Sequence, residues 1–220
     1  HAMISVHVPP IPIDVKTVFF AFEVIATFAF ALSGLFVARD NKLDAVGTFI
    51  ATFLAAFGGG TLRDIMLQQR PFYWVTQSEL LWGILFMSVL SSLTLRMSNW
   101  LSQRMIMVAD AIGLGIFSAT GTHLAMLLGW PPMPCVMIGV ITATFGGLLR
   151  DVVCNTKPML MSDPTPYATC AFVGNWILLG LIEVGWMSTF WNIVVAASLI
   201  AGSRLLLAFL GIKLPQLDSH

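Results

Sequence analysis

The residues best equipped for chemistry are two Arg-Asp pairs, each closing a glycine cluster. The first cluster reads Phe57-Gly58-Gly59-Gly60-Thr61-Leu62-Arg63-Asp64. The second, 87 positions on, reads Phe145-Gly146-Gly147-Leu148-Leu149-Arg150-Asp151. Each glycine costs a helix about 1 kcal/mol relative to alanine, so adjacent glycines predict a break. A helix that stops at Gly58 or Gly146 leaves its last carbonyls unpaired, at the negative end of the helix dipole. Facing a wet cavity, such oxygens replace part of a cation's hydration shell. Asp64 and Asp151 add formal negative charge. Neighbours at i and i+1 on a helix do not face each other. Arg63 and Arg150 are therefore expected to reach partners elsewhere, either freed carbonyls or a distant acid. An arginine that competes with a cation for the same oxygens is a gate. The alternative is structural: glycines permit close helix packing, and charges cap span ends at the headgroups. No nucleophile stands beside a base, and Cys135, Cys154 and Cys170 lack metal or redox spacing. The expectation is no enzyme, no cofactor and no metal site.

The two clusters belong to a longer duplication. The same shift takes Glu23 to Asp110, Phe30 to Phe117, Gly34 to Gly121 and Pro71 to Pro158, with no gap between residues 23 and 71. Arg70 and Lys157 precede the paired prolines. Glu23 and Asp110 are candidates to line a path through the protein or, equally, to sit at an interface. Ser33 and Thr120, also equivalent, line such a path or serve helix packing. His123 is expected at an interface. Arg204 is expected to snorkel to the membrane surface.

Composition identifies the solvent. Of 220 residues, 57% are hydrophobic and 10% charged, with mean hydropathy +0.86. Soluble domains carry about 25% charged residues, so this chain belongs in a bilayer. Its net formal charge of zero gives no reason to expect nucleic acid. The expected fold is an all-α integral membrane protein with seven transmembrane helices: two inverted three-helix repeats and a seventh helix. The parts are an N-terminal extramembrane segment (1–17, with 1–3 read as a cloning scar), a first repeat (18–97), a second, inverted repeat (104–185), a seventh helix (188–212) and a cytoplasmic tail (213–220). Asp44 is an expected N-cap for the second helix. From Asp44 to Phe57 that helix covers only about 21 Å, against a hydrocarbon core of about 30 Å. The fifth, near Pro134 to Phe145, is also short, so the glycines are expected inside the membrane.

Basic residues set the orientation. With seven spans, Arg39, Lys42, Arg96, Arg104, Arg150, Lys157, Arg204 and Lys213 share one side, and Lys16, Arg63 and Arg70 the other. The positive-inside bias puts the C-terminus in the cytoplasm and the N-terminus outside. A repeat of three spans is odd-numbered, so its two copies must insert upside down relative to each other. Trp74, Trp82, Trp100, Trp130, Trp186 and Trp191 fall near span ends, as an aromatic belt should; Trp176 falls mid-span.

The paired Gly-Gly-x-x-Arg-Asp segments, the two three-helix repeats and the extra helix resemble the prokaryotic trimeric intracellular cation (TRIC) channel family. That family in turn resembles bacterial membrane proteins described as glycine transporters. The likeness covers residues 18–210. It implies a homotrimer in a bacterial or archaeal inner membrane, surrounded by lipid, with a potassium-permeable pore in each subunit bent around helices two and five. By motif, the pore elements are Gly58, Gly59, Gly60, Arg63, Asp64, Gly146, Gly147, Arg150 and Asp151. Phe145 stands where the first copy has Gly58, so the two breaks are expected to differ in width. The other readings are a secondary carrier for a small amino acid such as glycine, and a non-conducting scaffold.

Overall fold

The computed structural model describes residues 13–94, 99–162 and 165–212. The lead-in up to residue 12, Arg96 and the tail from Lys213 lie outside the described residues. Nine helices are present among the described residues: α1 (Ile13–Asp40), α2 (Ala45–Met66), α3 (Tyr73–Thr76), α4 (Ser78–Thr94), α5 (Asn99–Leu127), α6 (Pro132–Val153), α7 (Met159–Ser162), α8 (Ala168–Val184) and α9 (Thr189–Leu210). The one-turn helices α3 and α7 have no signal in the apolar pattern. Asp44 caps α2 as expected, its Oδ1 accepting the Gly47 N–H at 2.7 Å. Among the described residues five helices are long and apolar enough to cross a membrane: 19–40, 45–66, 103–127, 132–153 and 189–210. Helices α4 and α8 are apolar with 17 residues each.

The expected breaks are absent. Helix α2 runs uninterrupted through Gly58, Gly59 and Gly60, and α6 through Gly146 and Gly147. Each has 22 residues, about 33 Å at 1.5 Å per residue, enough for a full span. The glycines are used for contact instead. A Cβ on Gly59 would run into the carbonyl oxygen of Thr142, and one on Gly146 into that of Ala55. A Cβ on Gly58 would press on Leu149 Cδ1 at 2.9 Å. Helices α2 and α6 thus cross backbone to backbone, as small residues allow in membranes. The unpaired carbonyls inferred from a break do not exist here, because each helix ends only after its Arg-Asp pair.

The two halves pack as copies. Gly59 and Gly146 are equivalent under the 87-residue shift, and so are their targets, Ala55 and Thr142. The equivalent Phe30 and Phe117 stack on each other with centroids 5.7 Å apart. Both α2 and α6 end in the same turn. Gln68 and Asn155, again 87 apart, take positive φ (55° and 53°). Gln69 N–H bonds the Asp64 carbonyl at 2.8 Å, and Thr156 N–H the Asp151 carbonyl at 2.9 Å. This is a Schellman close with a side-chain-bearing residue in glycine's place. Helix α9 packs on α5 and α8, with Gly115 of α5 set against the Ala197 carbonyl. Trp82, Phe86, Trp176, Leu206 and Phe209 are exposed on the outside of the bundle. Trp176 is thus an outward-facing apolar side chain, which accounts for its place mid-span.

Candidate functional site: two buried arginine clusters

Each arginine closes the last turns of its helix and turns inward. Arg63 Nη1 lies 2.5 Å from Glu23 Oε1 on α1. Its Nε and Nη2 both meet Asp64 Oδ1, at 2.9 and 2.8 Å. Asp64 Oδ2 accepts the Tyr73 N–H at 3.2 Å, which ties α3 to the cluster. Arg150 repeats the pattern. Its Nη1 lies 2.9 Å from Asp110 Oδ1 on α5, and its Nε 2.7 Å from Asp151 Oδ1. Asp151 Oδ2 accepts the Met159 N–H at 2.9 Å, tying in α7. The distant acids are the repeat-related pair Glu23 and Asp110, so each arginine does reach an acid on another helix. The expectation that adjacent Arg and Asp avoid each other fails: the long arginine side chain folds back along the helix end to its neighbour's carboxylate.

Both clusters are buried, Arg63 at 3% exposure and Arg150 at 0%. Each sets one guanidinium against two carboxylates. Gly60 and its equivalent Gly147 border the charged heads without crowding them: a Cβ on Gly147 would lie in ordinary contact, 3.4 Å from Asp110 Oδ1 and 3.6 Å from Arg150 Nη2. The inner details differ. Arg150 also donates to Ser33 Oγ, making Ser33 a partner of the site as well as a packing residue. Thr120, its equivalent, bonds back to the Ile116 carbonyl at 2.9 Å and serves its own helix. Arg150 Nη2 meets Met159 Sδ at 3.6 Å, and the Tyr167 hydroxyl donates to Asp110 Oδ2 at 2.6 Å.

Two clefts approach these clusters. One of about 220 Å³ reaches Glu23, Arg63 and Asp64 and is walled by Phe19, Gln69 and Leu124. The other, about 260 Å³, reaches Asp151 and is walled by Ile106, Thr156 and Val37. Phe19 and Ile106, Asp64 and Asp151, Gln69 and Thr156 are each 87 apart, and Val37 precedes Leu124 by the same shift. The clefts are equivalents in the two repeats. Only the first opens onto its arginine.

A family model described as Glycine transporter matches the chain twice, at residues 20–96 and 107–183. The matches are offset by the same 87 positions, so the duplication belongs to the family. The chain belongs to the Glycine transporter family, a family related to the TRIC channels. One relative of this family member is the UPF0126 inner membrane protein YadS of Escherichia coli, 33% identical over 153 residues, 70% of this chain and 73% of YadS. The fold matches that of the TRIC trimeric intracellular cation channel orthologue from Rhodobacter sphaeroides, with TM-score 0.80 and 26% identity over 89% of this chain and 100% of that one. A second structure, from work on conductance through TRIC cation channels, gives TM-score 0.71 at 26% identity, covering 96% and 99%.

Several side chains at the site had no signal in the motif. Tyr73, Met159 and Tyr167 are among them. One clue was present: the chain has two tyrosines, and each stands beside one arginine cluster. One other expectation is corrected. Arg204 does not snorkel; it is 1% exposed, donates to Thr165 Oγ1 and lies over the Tyr167 ring. His123 is buried and stacked on Phe19 at 5.4 Å, because its ring fills the apolar contact between α1 and α5. Among the described residues no group of three or more His, Cys, Asp and Glu side chains is placed to hold a metal.

Proposed function

We propose that the protein is a monovalent-cation channel, permeable to potassium, with a path in each subunit and assembled as a homotrimer. The path runs from the Glu23–Arg63–Asp64 cleft, past the α2–α6 crossing, to the Asp110–Arg150–Asp151 cluster and the cleft beyond it. In this reading α4 and α8 complete seven spans, the repeats are inverted, the N-terminus faces out and the C-terminus faces the cytoplasm. The arrangement is a closed state: each arginine is held by carboxylates that a passing cation would use. The observation that carries the reading is the Glu23–Arg63–Asp64 cluster, where two carboxylates meet one guanidinium at the wall of a cleft, and its repeat at Arg150, which likewise holds two carboxylates. An opening that moves the arginine aside leaves net negative charge on the path, which favours cations and repels anions. The likeness to TRIC cation channels supports the same class.

The test is electrical. In planar bilayers under a potassium chloride gradient, discrete current steps should reverse near the potassium potential. Reversal at the chloride potential would overturn cation selectivity. Silence in bilayers together with saturable glycine uptake into liposomes would favour the carrier reading that the family's description names.

A further inference from the structure

The two arginine clusters differ by one chain of contacts that comes from outside the duplication. Arg204 lies on α9, the helix with no counterpart in either repeat, and is 1% exposed. Its guanidinium donates to Thr165 Oγ1 and lies over the Tyr167 ring, with its carbon 5.2 Å from the centroid. The Tyr167 hydroxyl donates at 2.6 Å to Asp110 Oδ2, while the other oxygen of that carboxylate holds Arg150 at 2.9 Å.

Resting on the channel reading above, we infer that α9, through Arg204 and Tyr167, positions Asp110 and so sets how firmly the inner arginine is held. A carboxylate pinned at one oxygen by a short, charge-assisted bond cannot swing, and its second oxygen stays aimed at Arg150. A cation over the face of the phenol ring holds that ring in place and draws electron density from its hydroxyl, strengthening the donor. The first repeat has no such device at the matching position: Leu80 stands where the second repeat has Tyr167 and offers no hydroxyl. Arg204 and Tyr167 are thus positioning residues for one gate of the two, and α9 governs the end where Arg150 is sealed.

The experiment compares Tyr167→Phe, Arg204→Gln and the double variant with the wild-type chain in planar bilayers. Tyr167→Phe removes only a hydroxyl, and should lower the closed-to-open ratio about tenfold, the worth of one hydrogen bond to a charged group. The reversal potential of Tyr167→Phe should stay at the wild-type value, because that variant changes no charge beside the path. Arg204→Gln should shift the ratio in the same direction. The double variant should go no further than Tyr167→Phe, since both act through Asp110, whereas Glu23→Gln should add to either. Should Arg204→Gln fail to fold, Arg204→Lys takes its place; it keeps the charge, loses the flat stacking and should shift the ratio less. An unchanged ratio in Tyr167→Phe, or simple addition in the double variant, overturns the inference. A silent wild-type chain instead sinks the channel reading itself.

Discussion

Arg63 and Arg150 occupy equivalent places but different surroundings, and this difference separates their variants. Removing one partner of a buried ion pair costs roughly 3–5 kcal/mol, because the charge left behind has no compensation. Arg150 is sealed under Met159, and two carboxylates would be stranded by its loss. Arg63 faces a cleft through which water can solvate Glu23 and Asp64. Arg150→Ala should therefore lower the melting temperature in detergent clearly more than Arg63→Ala; equal shifts would show that the cleft does not relieve the Arg63 site. In bilayers, Arg63→Ala should raise cation current by freeing Glu23 and Asp64. Asp64→Asn removes one of those charges, and should move the reversal potential toward that of chloride. If Asp64→Asn leaves the reversal potential in place, the carboxylates around Arg63 do not set selectivity.

At the scale of elements, the glycines are the case where local propensity misleads. In water a run of glycines costs helix stability because the backbone has solvent to bond to instead. In a bilayer the only partners are within the helix, so an interruption costs several kcal/mol per unpaired group and the helix persists. The position then turns to what glycine permits, a backbone crossing. Gly59→Ala should destabilise by about 1–3 kcal/mol as an overpacked contact, because its Cβ meets a carbonyl oxygen of α6 rather than a yielding side chain. Gly60→Ala is the control: the nearest atom its Cβ would meet is Arg63 Nη2 at 4.0 Å. Its stability should hold or rise by up to about 1 kcal/mol from helix propensity. Comparable losses in thermal unfolding would mean that the crossing is not the tight contact described. The same contrast marks what could be read beforehand. The duplication and the cap at Asp44 follow from spacing, and so does the equivalence of Glu23 and Asp110, though not their pairing with the two arginines. Tyr167, Arg204 and the stacked His123 do not, because each acquires its role from a neighbour far away in sequence. An arginine near the end of an apolar helix looks like a snorkelling residue until the helix beside it supplies Thr165 and a tyrosine ring.

For the whole molecule, a helix crossing in which residue pairs swap under one shift has the form of a two-fold relation. A bilayer allows two orientations for such an axis. With an axis along the membrane normal, both clefts would open on one side and no path could join opposite faces. With an axis in the membrane plane, one cleft opens outward and the other inward, which is the arrangement a channel needs. In the seven-span reading proposed above, the odd number of spans in each repeat selects the second, since three crossings return the next copy to the membrane from the opposite side. On that reading the positive-inside bias places Lys157 inside and Arg70 outside, which the labelling below tests. These two are repeat equivalents, both exposed, and a pair of cysteine variants at them reads the axis directly. The native cysteines are buried, which limits background labelling. Arg70→Cys should react with a membrane-impermeant maleimide in intact cells, and Lys157→Cys only after the membrane is opened. Ser188→Cys, exposed just ahead of α9, should react from outside like Arg70→Cys if all seven helices span. Reaction of Arg70→Cys and Lys157→Cys from the same side would put the axis along the normal and leave the two arginine clusters with no continuous route between them.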